Sequence, residues 1–276
     1  MEKTKMITGV TFSKNRACQL HLFLESMDRN NKTRMDMNVL YDGDTEEFLE
    51  GYEILIKQFP NVNFVKQTDF KKDTLELCDS TPNELLMFFV DDNIMYRKFD
   101  LPNDFIKIYD YNVSSLSVRL GFNTVIQDPY TDSITIMPTE ITVLEETFNM
   151  WNWTSIPGNM NFGYPFSVDG NVYEKEYILN IIKDFNYNNP NQFEGGFQAE
   201  WLTDKPYMAC LDESVLVNTP LNLAGSSNNR AGEEFGLTLD FLNQQYLEGK
   251  KLDFDYLDFS NITCCHQELE MEWTQR

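Results

Sequence analysis

Positive charge is what this sequence has least of. Its 276 residues carry 44 acidic side chains against 22 lysines and arginines, a formal charge of −22. That balance argues against partners that need a basic patch, namely nucleic-acid backbones and anionic membrane surfaces. A small phosphate-bearing ligand stays possible, provided local cations or a divalent metal offset the surrounding field. Cysteine is scarce as well. There are five, an odd number without framework spacing, and Cys264 and Cys265 are neighbours. This suits a reduced cytosolic compartment rather than a disulfide scaffold. The Asn-x-Ser/Thr matches at Asn31, Asn112, Asn152 and Asn261 are then chance. No run approaches the roughly 18 apolar residues of a membrane helix. The N-terminal MEKTKMITGVTF is too short in its apolar part for a signal peptide. Glycine is missing between Gly9 and Gly43. A glycine-rich phosphate loop after the first strand is therefore excluded, which counts against a sugar nucleotidyltransferase and against a Rossmann dehydrogenase.

What is present is a substantial core, with 42% hydrophobic and 14% aromatic residues, and a regular alternation of elements. KMITGVTF (5–12) reads as a buried strand, and a helical pattern follows from Asn15 to Met27. MNVLY (37–41) is a second strand stopped by DGD (42–44). Asp44 is the expected N-cap of the next helix, with Glu47 in the capping-box position. VNFVK (62–66) is a third strand, followed by a helix over 72–79, and LLMFFV (85–90) is the fourth. Strands separated by helices imply right-handed crossovers and a mainly parallel sheet, and continuous apolar runs suit strands covered on both faces. In the second half, 114–122, 133–138, 167–173 and 213–220 are strand-like, while Lys175–Phe185 and 237–249 are helical. WNWTSIPGNMNFGYPF (151–166) reads as a long aromatic loop. This half is expected to complete the same sheet and to add an acceptor-side wall.

In open α/β sheets ligands gather beyond the carboxyl ends of the strands. The first strand ends in SKNR (13–16), the second in Asp42-Gly43-Asp44 and the fourth in Asp91-Asp92-Asn93. Each alone is accounted for by a solvated turn. Three along one rim suggest a metal or phosphate site.

The segments TFSKNRACQLHLFLESM (11–27), VLYDGD (39–44), FFVDDNIMYR (88–97), SVRLGFN (117–123), WNWTSIPGNMNFGYPFSVDGNVY (151–173), NPNQFEGG (189–196), VNTPLNLAG (217–225) and LNQQYLEGKKLDF…NITCCHQE (242–268) together resemble a GT-A fold glycosyltransferase of a bacterial, phage or large-DNA-virus kind. The resemblance implies an α/β fold with a mainly parallel central sheet flanked by helices. It implies one domain over 1–276, with a nucleotide-sugar half (1–125) and an acceptor-side half with the C-terminal segment (126–276). The implied activity is sugar transfer from a UDP-, GDP- or dTDP-sugar to a glycan or other hydroxyl acceptor. A divalent ion, Mn²⁺ or Mg²⁺, would assist, and the setting would be the cytoplasm of a bacterium or virus-infected cell.

Carried over residue by residue, the resemblance places Thr11, Ser13, Arg16, Asp42, Asp91 and Arg119 against the donor, with Lys66 or Lys71 near its phosphates unless they are surface charges. Arg119, a charge in an apolar strand-like segment, would meet either the donor phosphate or a structural carboxylate. Asp91, Asp92 and Asn93 match the Asp-x-Asp element that seats the cation. The third position is an amide here, which can ligate but brings no charge. His266 is the further candidate ligand, and His21 is structural. An inverting transferase needs a carboxylate base, and Glu194 is favoured over Asp169, which beside Gly170 also suits a turn. Trp151, Trp153 and Tyr164 are either an acceptor-stacking wall or core. The non-catalytic alternative is a GT-A-like glycan-binding or interaction module. On the enzymatic reading, Asp91→Ala and Asp92→Ala fold normally and lose donor binding.

Overall fold

The computed structural model describes residues 7–131, 133–197, 199–223, 232 and 234–276. Residues 5–6 of the first strand segment and 224–225 of the VNTPLNLAG segment lie outside them. In chain order β1 (Ile7–Lys14) leads to α1 (Ala17–Asn30), β2 (Met35–Asp42) to α2 (Glu46–Gln58) and β3 (Asn63–Lys66) to α3 (Phe70–Asp79). β4 (Leu85–Val90) runs almost directly into the short β5 (Asn93–Met95). β1 pairs in parallel with both β2 and β4, and β2 with β3. This is the parallel arrangement that the alternation of strands and helices predicts.

The second half supplies β6 (Val113–Ser117), a hairpin of β7 (Ile126–Asp128) and β8 (Ser133–Ile134), β9 (Thr142–Leu144) and β10 (Phe148–Asn152). It continues with β11 (Asn171–Glu174), α4 (Lys175–Ile182), α5 (Pro190–Gly195), β12 (Tyr207–Cys210), β13 (Leu216–Asn218), α6 (Leu239–Leu247), β14 (Lys250–Leu252) and β15 (Trp273–Gln275). One sheet takes strands from both halves in the order β3-β2-β1-β4-β11-β6-β12-β10-β9. β11 is antiparallel to β4 and to β6, and β12 is parallel to β6. The carboxyl ends of β1, β2, β4, β6 and β12 therefore share one rim, and β11 begins there.

Alternate residues of the central strands feed two apolar layers. Val39, Met87 and Phe89 pack with Leu20, Phe23, Tyr52 and Tyr246 on one side. Val10, Phe12 and Phe88 pack with Phe166, Ile178, Ile182 and Phe193 on the other. A strand covered on both faces has no solvent side, which is why 85–90 is apolar without alternation.

Several local expectations shift. Thr45, not Asp44, caps α2, its hydroxyl accepting the Phe48 N–H at 3.4 Å. Asp44 is held instead by the Asn15 carboxamide at 2.8 Å and Lys14 Nζ at 2.7 Å. The segment read as an aromatic loop from 151 begins inside β10, and only Ser133–Ile134 of 133–138 pairs as strand. Both segments are short, so tertiary pairing rather than periodicity decides them.

Candidate active site

Four carboxylates (Asp91, Asp92, Asp169 and Glu194), two guanidiniums (Arg16 and Arg119) and an imidazole (His266) converge on the rim. The first cluster begins where β1 ends. Tyr52, fully buried in α2, places its hydroxyl 2.7 Å from Ser13 Oγ and accepts the Arg16 N–H at 3.1 Å. This fixes the turn that carries Arg16 inward. The Arg16 guanidinium, 5% exposed, donates from Nη1 to Asp91 Oδ1 at 3.1 Å and to Asp92 Oδ2 at 2.9 Å. Its Nε donates to Asn222 Oδ1 at 3.0 Å and its Nη2 to the Asn222 carbonyl. Burial works against the Arg16 charge, and the two carboxylates more than restore it. Asp91 also accepts the Lys14 N–H at 3.3 Å. Burial pushes the Asp91 carboxyl up to about 6, opposed by Arg16 and assisted by the neighbouring Asp92 charge. Two adjacent acids thus end an apolar strand with one guanidinium between them.

Asp169 lies in the turn before β11. Gly170 makes that turn possible: its φ is +75°, and a Cβ there would sit 2.6 Å from Leu216 Cδ2. Its N–H donates to the Phe88 carbonyl at 2.8 Å and its carbonyl accepts from Val118 N–H at 3.1 Å, so Asp169 is clamped between β4 and β6. Asp169 Oδ1 accepts from Asn93 Nδ2 at 3.0 Å and Asn218 Nδ2 at 3.3 Å, and Oδ2 lies 3.1 Å from His266 Nε2. Burial alone would raise this carboxyl; His266, Arg119 and Asn93 outweigh it and bring it down to about 2. An ionised carboxylate only accepts, so His266 Nε2 donates to Asp169, and in the neutral imidazole Nδ1 is the nitrogen with the lone pair.

Glu194, in α5, makes a different environment. Its Oε1 accepts the Val168 N–H at 3.0 Å. Burial, then the nearby Asp169 charge, raise its pKa, with Arg119 only partly offsetting them. Arg119 is 3% exposed, and its Nε has no hydrogen-bond partner among the described residues. Burial opposes its charge too, but Cys265, Asp169, Glu194 and Tyr164 around it keep its pKa above the ordinary value. The half-buried Tyr164 belongs to this cluster, its hydroxyl raised by burial and by Glu194.

The remaining expected residues divide. Asp42 is at the rim, 3.7 Å from Lys14 Nζ. Lys66 is exposed at the end of β3. Lys71 donates to the Lys183 carbonyl at 2.9 Å and ties α3 to the end of α4. Thr11 is fully buried within β1, its hydroxyl without a partner among the described residues, three residues short of the strand's end. Trp151 and Trp153 are core. They are 2% and 5% exposed, and their indole N–H groups donate to the Phe162 and Lys205 carbonyls at 2.7 and 3.0 Å. Neither presents a ring face to an acceptor. His21 is buried, with Nδ1 2.9 Å from Tyr246 OH and a pKa lowered to about 4 by burial.

The expected metal set also contracts. Asn93 is fully buried; its Oδ1 accepts the Val90 N–H at 2.9 Å while its Nδ2 holds Asp169, so it stands behind the rim as a brace rather than as a ligand. Asp91 is buried against Arg16 and the Lys14 N–H. Asp92 and His266 remain, and the His266 side chain is 45% exposed. No three His, Cys, Asp or Glu side chains among the described residues form a ready-made cage. A carboxylate and an imidazole fit a hard or borderline divalent ion that takes its other ligands from water and substrate phosphates.

No protein-family model matches the chain. A bifunctional glycosyltransferase of Dictyostelium discoideum, pgtA, is 27% identical over 286 residues, covering 91% of this chain. The chain spans about a third of that relative, 36% of its length. Two structures of S. aureus TarS 1–349 superpose with a TM-score of 0.50 at 13% identity, one in complex with UDP and one with UDP-GlcNAc. They match 76% and 81% of this chain and 59% and 61% of theirs. The chain has the GT-A fold.

On this GT-A sheet, three residues of the cluster escape sequence reasoning: Tyr52, Asn218 and Asn222. They are ordinary residue types inside a helix, at a strand end and in a loop. The one available signal is the quoted segment VNTPLNLAG, which contains both asparagines. No described helix is long and apolar enough to cross a membrane.

Proposed function

We propose that this chain is a glycosyltransferase that moves a sugar from a nucleotide-diphosphate sugar, with UDP-sugars the first to test, to a hydroxyl acceptor with inversion. The observation that carries the reading is two carboxyls on one rim in opposite surroundings: Asp169, in contact with His266, Asn93 and Asn218, is held low, while Glu194, oriented by the Val168 N–H, is raised by burial and by Asp169. Groups whose environments push their pKa values apart mark acid–base assignments. Glu194 is the base. It accepts the proton of the acceptor hydroxyl as that oxygen bonds to the anomeric carbon. The bond from that carbon to the diphosphate breaks, and its electron pair leaves with the nucleotide. The Val168 N–H orients Glu194, and the unpartnered Nε of Arg119 is free to donate to a sugar or phosphate oxygen. Asp169, saturated with donors, holds His266 rather than taking a proton.

Asp92 and His266 Nδ1 would hold a divalent cation, which would supply electrostatic stabilisation of the departing diphosphate. Asp42 and Ser13 line the nucleotide end, and Tyr164 the acceptor end. The homology to pgtA and the nucleotide complexes of TarS support the choice of donor class.

Glu194→Gln tests the assignment. Transfer falls by about 10²–10⁴-fold, the range of general-base contributions, while donor binding by calorimetry is kept. Wild-type transfer in this variant would overturn the base assignment.

A further inference from the structure

Asn218 stands at the junction of the donor-side and acceptor-side acids, and no step proposed above uses it. Its Nδ2 donates to Asp92 Oδ1 at 2.6 Å and to Asp169 Oδ1 at 3.3 Å, one N–H for each carboxylate. The backbone around it is as connected. β13 pairs antiparallel with β5 so that Asn218 faces Asn93, and both carboxamides reach the same oxygen of Asp169. On its other side Asn218 bridges to His266: its N–H donates to the Cys265 carbonyl and its own carbonyl accepts from Gln267, each at 2.9 Å. The next residue, Thr219, donates its N–H to the Asp92 carbonyl at 2.7 Å. Asn218 is 6% exposed. One residue thus fixes the side chain of Asp92, the side chain of Asp169 and the segment that carries His266.

We propose that Asn218 is a positioning residue for the divalent cation, setting the separation of Asp92 and His266. The proposal rests on the reading of those two as ligands. A neutral carboxamide is what the place requires. It donates to two carboxylates at once, and it leaves the second lone pair of Asp92 Oδ1 for a cation. A carboxylate at this position would add a third negative charge within hydrogen-bond reach of the other two and remove both donors.

The two substitutions therefore move cation affinity in opposite directions, which loss of structure alone does not do. The test is paramagnetic titration of Mn²⁺ with wild type, Asn218→Ala and Asn218→Asp, using whichever of UDP, GDP or dTDP raises the melting temperature most. Asn218→Ala weakens Mn²⁺ binding by roughly tenfold, the lower end for residues supporting metal ligands. Asn218→Asp melts at a lower temperature than wild type without metal, recovers on adding Mn²⁺, and binds Mn²⁺ more tightly than wild type. Equal affinity in wild type and Asn218→Ala, with no gain in Asn218→Asp, overturns the proposal and leaves the ligand reading standing. Wild type that takes up no Mn²⁺ overturns the ligand reading and this proposal with it, while the base assignment is judged separately by Glu194→Gln.

Discussion

Arg16 is the counter-charge on which the two acids at the end of β4 depend. Removing one partner of a buried ion pair leaves an uncompensated charge, at about 3–5 kcal/mol. Arg16→Ala leaves two buried acids side by side, so urea denaturation should show a loss of that order. An unchanged midpoint would mean the guanidinium is not the counter-charge. The same geometry revises the expectation for Asp91→Ala, which sheds a buried partner of Arg16 and should lose stability as well as donor binding. Asp169 gives a pH signature. Its folded pKa of about 2 lies below the ordinary 3.8, so its contribution to stability is present above about pH 4 and is lost as pH falls toward 2. Asp169→Asn should flatten the acid limb of the melting-temperature profile over that window; a limb of unchanged slope would count against the clamp. For Glu194 the sign is reversed. A base must be deprotonated, so the raised pKa puts the acid limb of transfer above the ordinary carboxylate range. Acids at a strand end are visible in a sequence, which is how Asp91 and Asp92 can be read from it, whereas Asp169, Glu194 and His266 are named through the resemblance to GT-A transferases. What each is bonded to is not visible, so Asn93 was expected as a ligand and serves as a brace.

Among the elements, β4 and β10 show why one apolar run was settled by its sequence and one tryptophan-rich stretch was left open between acceptor wall and core. Leu85–Val90 is apolar on both faces because it lies in the middle of the sheet, and its bounds follow from composition alone. Trp151 lies in β10 one strand from the sheet edge, and Trp153 opens the turn beyond it. Their rings suit either a sugar face or a core, and only the neighbouring strands and the Phe162 and Lys205 carbonyls decide. Trp151→Ala and Trp153→Ala should each lower stability by about 3–5 kcal/mol, read from denaturant midpoints. Variants that melted like wild type but needed more acceptor would return the two residues to the acceptor wall. The capping of α2 by Thr45 rather than Asp44 has a similar cause: Lys14 and Asn15 hold Asp44 to the end of β1, a contact between elements that no local pattern records.

For the whole molecule, the charge of −22 and the local cations at the rim belong together. An acidic surface repels an anionic ligand, so on the proposed reading the few positive groups placed inside it, Arg16 and Arg119 among the buried ones, would offset the charge of a nucleotide. The parallel half of the sheet was legible because strand and helix alternate with regular spacing. In the mixed half the segments that hold β6, β11 and β13 read as strands and the shared sheet was expected, but β9, β10 and β12 were missed because they are short and their order follows from long-range pairing. The central claim is that this rim binds a nucleotide-diphosphate donor. The measurement that tests it most directly is thermal melting against UDP, GDP and dTDP, each with and without Mn²⁺, because a ligand that binds only the native state raises the melting temperature by mass action. The account predicts a rise with one of the three that is larger when Mn²⁺ is present and is lost in Asp92→Ala. No rise with any of them would contradict it.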